Sequence, residues 1–340
     1  MHARLLKLNI NTVKRMPKKS TTVGHAGKDF DCTVLGDVFT DVIIGVNGDY
    51  RHFFRGGTSY CDFAKVVLGG SGNIAVGLSL LGGRAAFVGK AGDDFFGKFY
   101  MQDLKNKGVV PKIFLDKDSS TGLLISFVED GKERSFLVFR GANDRLSIDE
   151  IEKATSLIKR SKYVYFSGYS LVNDPQRSAV LRAIEIARKF KAKIVFDPGA
   201  CNLVKSEQKF FVKLLDSCNI LSLNLDEAEA ITDTTNIEDA IIKLRNKVPL
   251  TALKYGGKGC FLISEKNIVE VPGFQVKCLD PTGAGDAFTA ALIYGLTTKL
   301  SPESIGQLAN WFAAKLVTQF GSRSYPSKSE IYHFLQKLRK

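Results

Sequence analysis

The sequence has no uninterrupted run near the roughly 18 apolar residues that a membrane-spanning helix needs, so no membrane partner is expected. Its six cysteines, Cys32, Cys61, Cys201, Cys218, Cys260 and Cys278, form no close-spaced pairs and have no histidine beside them. That scatter excludes a zinc site and a disulfide framework, and it makes a reducing compartment the default. Long repeats and low-complexity tracts are also missing, which excludes solenoids and extended linkers. Acid is absent from residues 1–28, where Arg4, Lys7, Lys14, Arg15, Lys18, Lys19 and Lys28 gather.

That local absence explains most of the charge. The chain carries +13, yet the part beyond residue 28 carries only +6, so the basic balance is no argument for a nucleic-acid partner. Residues 1–31 are expected to be a basic, disordered leader. Residues 1–28, which contain Arg, Ser and Thr and no acid, also have the composition of an organelle transit peptide, and Met16 offers an alternative start. Without import, the protein is expected in the cytoplasm.

With 340 residues and 44% hydrophobic content, the chain can bury one large core, alone or with a small appendage. The apolar runs "AAFVG", "YVYFSG", "KIVFD", "NILSLN" and "LTALKYG" recur with helical patterns such as "PQRSAVLRAIEIARKF" between them. This is the βαβ rhythm of a parallel sheet covered on both faces. In "TGLLISFVEDGKERSFLVFRG", two β-rich runs flank Asp130-Gly131, a dipeptide suited to a tight hairpin. A second aromatic excursion contains "DYRHFFRGGTSY". Together they predict a small β lid from 42–66 and 113–141, over a core from 32–41, 67–112 and 142–340.

Three glycine-rich loops compete for function. "GDDFFGKF" nearly spells a P-loop, but Phe99 stands where a Mg²⁺-holding hydroxyl belongs, so a turn with Asp93 or Asp94 capping a helix is the better reading. Gly70-x-Gly72-x-x-Ala75 mimics a dinucleotide fingerprint, which leaves an NAD-type dehydrogenase as an alternative class. In "DPTGAGDAFTAALIYGL", Gly283, Ala284 and Gly285 expose backbone N–H groups at a helix start, where an anion can be gathered. Asp286 follows in the first turn. A carboxylate beside an anion cradle makes sense if it faces a hydroxyl nucleophile while the N–H groups face a phosphoryl group. A plain helix cap explains the same residues.

"DPTGAGDAF" resembles the D-T-x-G-A-G-D signature of the ribokinase-like (PfkB) carbohydrate and nucleoside kinases. The resemblance extends over residues 33–335 through "LGDVFTD", "GGSGNIAVGLSLLG" and "NLDE", in the family's order. It implies a three-layer α/β/α sandwich with a mostly parallel central sheet and a small β lid, and an ATP-dependent phosphotransferase acting on a small polyol. By resemblance, Asp286 is the catalytic base and Gly283, Ala284 and Gly285 form the anion hole. Asp41, Gly69, Gly70 and Asn73 fall on substrate-binding positions. Asn224 and Glu227 fall on the motif that organises Mg²⁺ through water. Lys254, Gly256 and Gly259, in "LKYGGKG", cradle the nucleotide, and Asn310 reaches its base. Asp280 and Thr282 occupy positions that serve a monovalent cation such as K⁺ in some relatives.

Within the lid, Arg140 and Asn143 are candidate substrate contacts, and an exposed lid edge predicts a homodimer. Phe39, where ribokinases carry a polar sugar ligand, reads as a core residue. A sugar, a nucleoside and a sugar phosphate all remain open as acceptors, the last because Arg51, Arg55 and Arg140 offer a cation cluster. A sugar-binding regulator without catalysis is the remaining alternative.

Overall fold

Along each central strand, neighbouring apolar residues go to opposite sides, and this alternation divides the core in two. The computed structural model describes residues 27–46, 58, 60–129 and 133–338. Strands β1 (Phe30–Leu35), β4 (Ala85–Gly92), β5 (Val110–Asp116), β8 (Ser161–Ser167), β9 (Lys193–Asp197), β10 (Ile220–Asn224) and β11 (Leu250–Lys254) pair in parallel. The antiparallel strands β12 (Gly259–Ile263) and β13 (Ile268–Pro272) complete a nine-stranded sheet, in the order β13-β12-β11-β10-β9-β8-β1-β4-β5.

Val34, Phe87 and Tyr165 pack on one face, against helices α1 (Gly72–Leu80), α2 (Phe95–Asn106), α9 (Ala284–Thr297), α10 (Pro302–Leu316) and α11 (Lys328–Leu338). Leu35, Val88 and Phe166 pack on the other, against α3 (Ile148–Lys159), α4 (Gln176–Lys189), α5 (Cys201–Ser206), α6 (Gln208–Leu214), α7 (Leu225–Thr232) and α8 (Ile237–Leu244). Both faces are therefore covered, as a parallel sheet requires. The chain leaves β1 in both directions, through β4 to one edge and from β8 towards the other. The strand order therefore reverses beside β1, and ligands bind outside the carboxyl ends of the strands at such a point.

A separate sheet runs β3-β2-β6-β7, from β2 (Val38–Val46), β3 (Phe63–Gly70), β6 (Gly122–Glu129) and β7 (Glu133–Phe139). Its boundaries differ from those expected. Val38–Asp41 and Val67–Gly70 already belong to the small sheet, because Phe39 pairs with both Gly69 and Gly122 in an unbroken ladder. Residues 113–116 belong instead to the main sheet, since β5 pairs with β4 along its length. Nor is the amino-terminal stretch unstructured to residue 31: Lys28 donates to the carbonyls of Lys159 and Phe190, and β1 starts at Phe30. The rest of the leader before Gly27, the lid residues Arg51 and Arg55, and the Asp130-Gly131 turn lie outside the described residues.

Asn143, on the turn after β7, holds the start of β2, which corrects its expected role. Fully buried, it accepts from the Val38 N–H through Oδ1 (2.7 Å) and donates through Nδ2 to the carbonyls of Val38 (2.9 Å) and Arg140 (2.8 Å). Its hydrogen-bonding atoms are spent where β2 leaves the core, so it is a strut rather than a substrate ligand. Asn143→Ala leaves the Val38 amide groups unpaired in a dry interior. It is expected to cost about 2–4 kcal/mol, read as a lowered urea midpoint at unchanged m-value.

Candidate active site

The carboxyl ends of the strands deliver the polar groups. Asp37 follows β1, Ser167 and Asp197 end β8 and β9, Asn224 and Lys254 end β10 and β11, and Asp286 opens α9. These residues line one cavity of about 420 Å³, with Phe39 and Asp41 of β2 and Phe136 and Val138 of β7 as its small-sheet wall. Phe39 is both buried, as expected, and part of this lining. A second cavity of about 400 Å³ is lined by Gly256, Gly259, Phe274, Val276, Phe288 and Asn310. Asn224, Lys254 and Gly285 line both, so the two spaces meet at the mouth of α9.

Gly283 caps α9 at φ +83°, and a Cβ there would lie 2.6 Å from the Ser322 carbonyl oxygen. Only glycine fits that turn and that approach. Ala284 departs from the expected cradle, since its N–H donates to the Pro281 carbonyl at 3.1 Å. Gly283 and Gly285 are left to offer N–H groups at the helix start. The Lys254 ammonium adds positive charge there, 3.5 Å from where a Cβ on Gly285 would sit.

Asp286 accepts from Asn73 Nδ2 at 2.9 Å. The positive end of α9 favours the ionised carboxylate. Burial outweighs it: desolvation and the nearby Asp197 raise the group to about 6, against the opposing pull of Asn73, Lys254 and Arg323. Asp41 is raised to about 7, again mainly by burial, with Arg323 opposing and Asp286 and Asp280 adding to the rise. Its Oδ1 is buried with no hydrogen-bond partner, so it is poised for a donor from a ligand.

Gly69 is bare because a Cβ would lie 2.0 Å from the Asp41 carboxylate, and Gly70, at φ +72°, packs on the Asp37 carbonyl. Arg140 reaches the cavity but is not a free cation. It forms a fork on Asp37 with both contacts at 3.2 Å, donates to Gln176 at 2.7 Å and pairs with Asp144.

Asn224 and Glu227 form a capping box at the start of α7, with Oδ1 accepting from the Glu227 N–H and the Glu227 carboxylate accepting from Asn224 N and Nδ2. Burial and the neighbouring Asp197 push Glu227 upward. The Glu227 carboxylate oxygens and Asn224 Oδ1 each accept one hydrogen bond and keep a further lone pair beside the cavity junction, which would suit the water shell of a hydrated hard cation such as Mg²⁺. Lys254 donates to Asp197 at 2.8 Å. Asp197 and Arg323 belong to the site but stand outside the quoted motifs; the signal for Asp197 was its place at the end of "KIVFD", just before Pro-Gly.

Asn310 lines the second cavity, yet its amide donates to the carbonyls of Val271 (3.0 Å) and Pro272 (3.1 Å), tying α10 to β13. Asp280 accepts from the N–H groups of Thr282 and Gly321, both at 2.8 Å. The near P-loop is a plain cap, with Asp94 accepting from the Gly97 N–H at 2.8 Å. Gly70-x-Gly72 follows a strand of the small sheet rather than the first βα turn of the main one, which removes the structural basis of the dehydrogenase alternative.

A carboxyl group raised by burial makes the folded state hold its proton more tightly than the unfolded chain, whose value is near 3.9. The stability it contributes is therefore present at low pH and lost as pH rises through about 7. Asp41→Asn is expected to stabilise the protein by about 2 kcal/mol more at pH 8 than at pH 5.5, as thermal melts at the two pH values will read.

The pfkB family carbohydrate kinase model matches residues 30–329. Fructokinase-1 of Oryza sativa subsp. japonica is 34% identical over 81% of this chain and 90% of its own length. Among solved structures, adenosine kinase from Sinorhizobium meliloti aligns with a TM-score of 0.81 at 25% identity, over 89% of this chain and 98% of that one. A sugar kinase from Pyrococcus horikoshii, solved in complex with ATP, aligns at 0.74 and 26% identity over 90% and 99%. With its ribokinase-like α/β fold, the chain belongs to the pfkB family and is an ATP-dependent carbohydrate kinase.

Proposed function

We propose that the protein transfers the γ-phosphoryl group of ATP to a hydroxyl of a neutral sugar, with Asp286 as the base. The junction of two cavities at Gly285, with Asp286 on the side of the first, carries this assignment. The glycine-lined cavity takes the nucleotide, as the ATP complex of the Pyrococcus horikoshii relative supports. The first cavity takes the acceptor.

In the acceptor cavity Asp41 accepts from a sugar hydroxyl, and the reacting hydroxyl lies against Asp286. The N–H groups of Gly283 and Gly285, with Lys254, hold the moving phosphoryl group in line. Asp286 takes the proton as the oxygen is phosphorylated. Asn224 and Glu227 would hold Mg²⁺, which when bound would supply charge neutralisation on the phosphates. K⁺ near Asp280 and Thr282 belongs to the same reading, through the loop that those residues brace.

Charge separates the acceptors. Among the described residues that line the space, Arg140 and Lys254 are both paired with carboxylates, and Asp37, Asp41, Asp197, Glu227 and Asp286 outnumber them, so a sugar phosphate meets more carboxyl groups than cations there. Fructose is the first candidate, given the names of the plant relatives. A nucleoside is the second reading, since Phe39, Phe136 and Tyr169 offer rings to a base. The homodimer is proposed on the outer face of the small sheet. Phe136 and Val138 line the cavity, so the alternate residues Leu137 and Phe139 point to the other side of the sheet, and all four are about half exposed.

A panel of fructose, glucose, ribose, adenosine and fructose 6-phosphate with ATP is expected to show turnover on a neutral sugar; turnover on the phosphosugar alone refutes the charge argument. Asp286→Asn is expected to lose about 10²–10⁴-fold in kcat while ATP binding by calorimetry persists. Because the carboxylate is the active form, kcat/KM is expected to rise with pH through about 6 and then level. Sedimentation at micromolar concentration is expected to give a dimer that Leu137→Glu converts to a monomer.

A further inference from the structure

Arg323 lies on the loop between α10 and α11 and lines neither of the two cavities, yet it stands two hydrogen bonds from Asp286. Its Nε–H donates to Asn73 Oδ1 at 2.8 Å, and Asn73 Nδ2 donates to Asp286 Oδ2 at 2.9 Å. We propose that Arg323 is a positioning residue that fixes the amide of Asn73 with its donor towards Asp286, so that the base is presented ionised with one oxygen held and the other turned to the substrate hydroxyl. The inference rests on the assignment of Asp286 as the base.

The chemistry of the three groups allows only this polarity. A guanidinium has donors and no acceptor, and an ionised carboxylate has acceptors and no donor. The amide between them must therefore turn its oxygen to Arg323 and its nitrogen to Asp286. Reversed, it would set N–H against N–H on one side and oxygen against oxygen on the other. Without the arginine the amide is free to turn, and the carboxylate loses both a donor and a nearby positive charge. Each loss favours the protonated acid.

The arginine is itself held. Its Nη1 donates to Asp103 on α2 at 2.7 Å, and its guanidinium carbon lies 4.8 Å from the centre of the Tyr100 ring. The loop that carries it is tied to Asp280 by the Gly321 N–H and to the Asn73 carbonyl by the Tyr325 hydroxyl, at 2.8 and 2.7 Å. Other groups acting on Asp286 are Asp41 on β2, Tyr165 on β8, Tyr169 after it, Asp197 on β9, Lys254 on β11 and Tyr325. Both cations are paired with a carboxylate, Lys254 with Asp197 at 2.8 Å and Arg323 with Asp103 at 2.7 Å, and of the two Arg323 acts through a residue bonded to the base.

The test compares wild type, Arg323→Gln and Arg323→Lys by kcat/KM from pH 5 to 9, and by ¹³C-carboxyl titration of Asp-labelled protein, with Asp286→Asn identifying the resonance. Glutamine removes the charge and the donor-only constraint. Its acidic limb and its Asp286 midpoint are expected to move up by about one pH unit, a loss of about tenfold at pH 5.5 that mostly recovers by pH 9. Lysine, still a cation with donors only, is expected to move about half as far. KM for ATP should be unchanged in both, because Arg323 does not line the nucleotide cavity.

An unshifted midpoint, or a loss equal at every pH, overturns the proposal. Should the glutamine variant fail to fold, the lysine variant decides, and its unchanged midpoint is equally fatal. A wild-type protein that transfers phosphate to no acceptor overturns the kinase assignment instead, while the carboxyl titration still reports on Arg323.

Discussion

A single carboxylate at the mouth of α9 sets the terms for everything around it. Asp286 is partly buried beside Asp197 and within reach of Asp41, and desolvation raises it above the ordinary carboxylate range. Helix dipole, Lys254, Asn73 and Arg323 all pull the other way. The base sits near 6 because these opposing contributions almost balance, which places it close to its working range without making it inert. A carboxylate in bulk water would need no such support, but it would share its site with water that hydrolyses ATP.

The main sheet supplies the geometry for that balance. Seven parallel strands end at the same edge, and the order reverses next to β1, so side chains far apart in sequence converge on one cleft. Gly283 and Gly69 serve the same end by absence. At the first a Cβ would strike the Ser322 carbonyl, and at the second it would strike the Asp41 carboxylate. The small sheet then closes the acceptor side, with the start of β2 held by Asn143 on the Val38 backbone and with Arg140 forked on Asp37. Several residues with the chemistry of ligands are thus struts that fix where the ligand groups stand.

Local signals in the chain were sufficient for the βαβ alternation, the capping helix at Asp94 and the glycine turn into α9. Each depends on near neighbours: strand periodicity, a side chain reaching back to an N–H three residues on, or a positive φ that only glycine adopts without strain. The division between core and lid was less legible. Residues 38–41 were expected in the core, and only the pairing of Val38–Asp41 with β3 and β6 assigns them to the small sheet.

What the sequence determined by itself was therefore the type of each element and the identity of the motif at residues 280–286, because these follow from contacts within a few residues. Tertiary structure alone decided which polar groups are free. The number of partners a side chain finds depends on strands and loops brought together from across the chain, and no local pattern encodes it. Arg140, Asn143 and Asn310 are consumed by such partners, Asp41 keeps an oxygen without one, and Arg323, 37 residues beyond Asp286, comes within two hydrogen bonds of it.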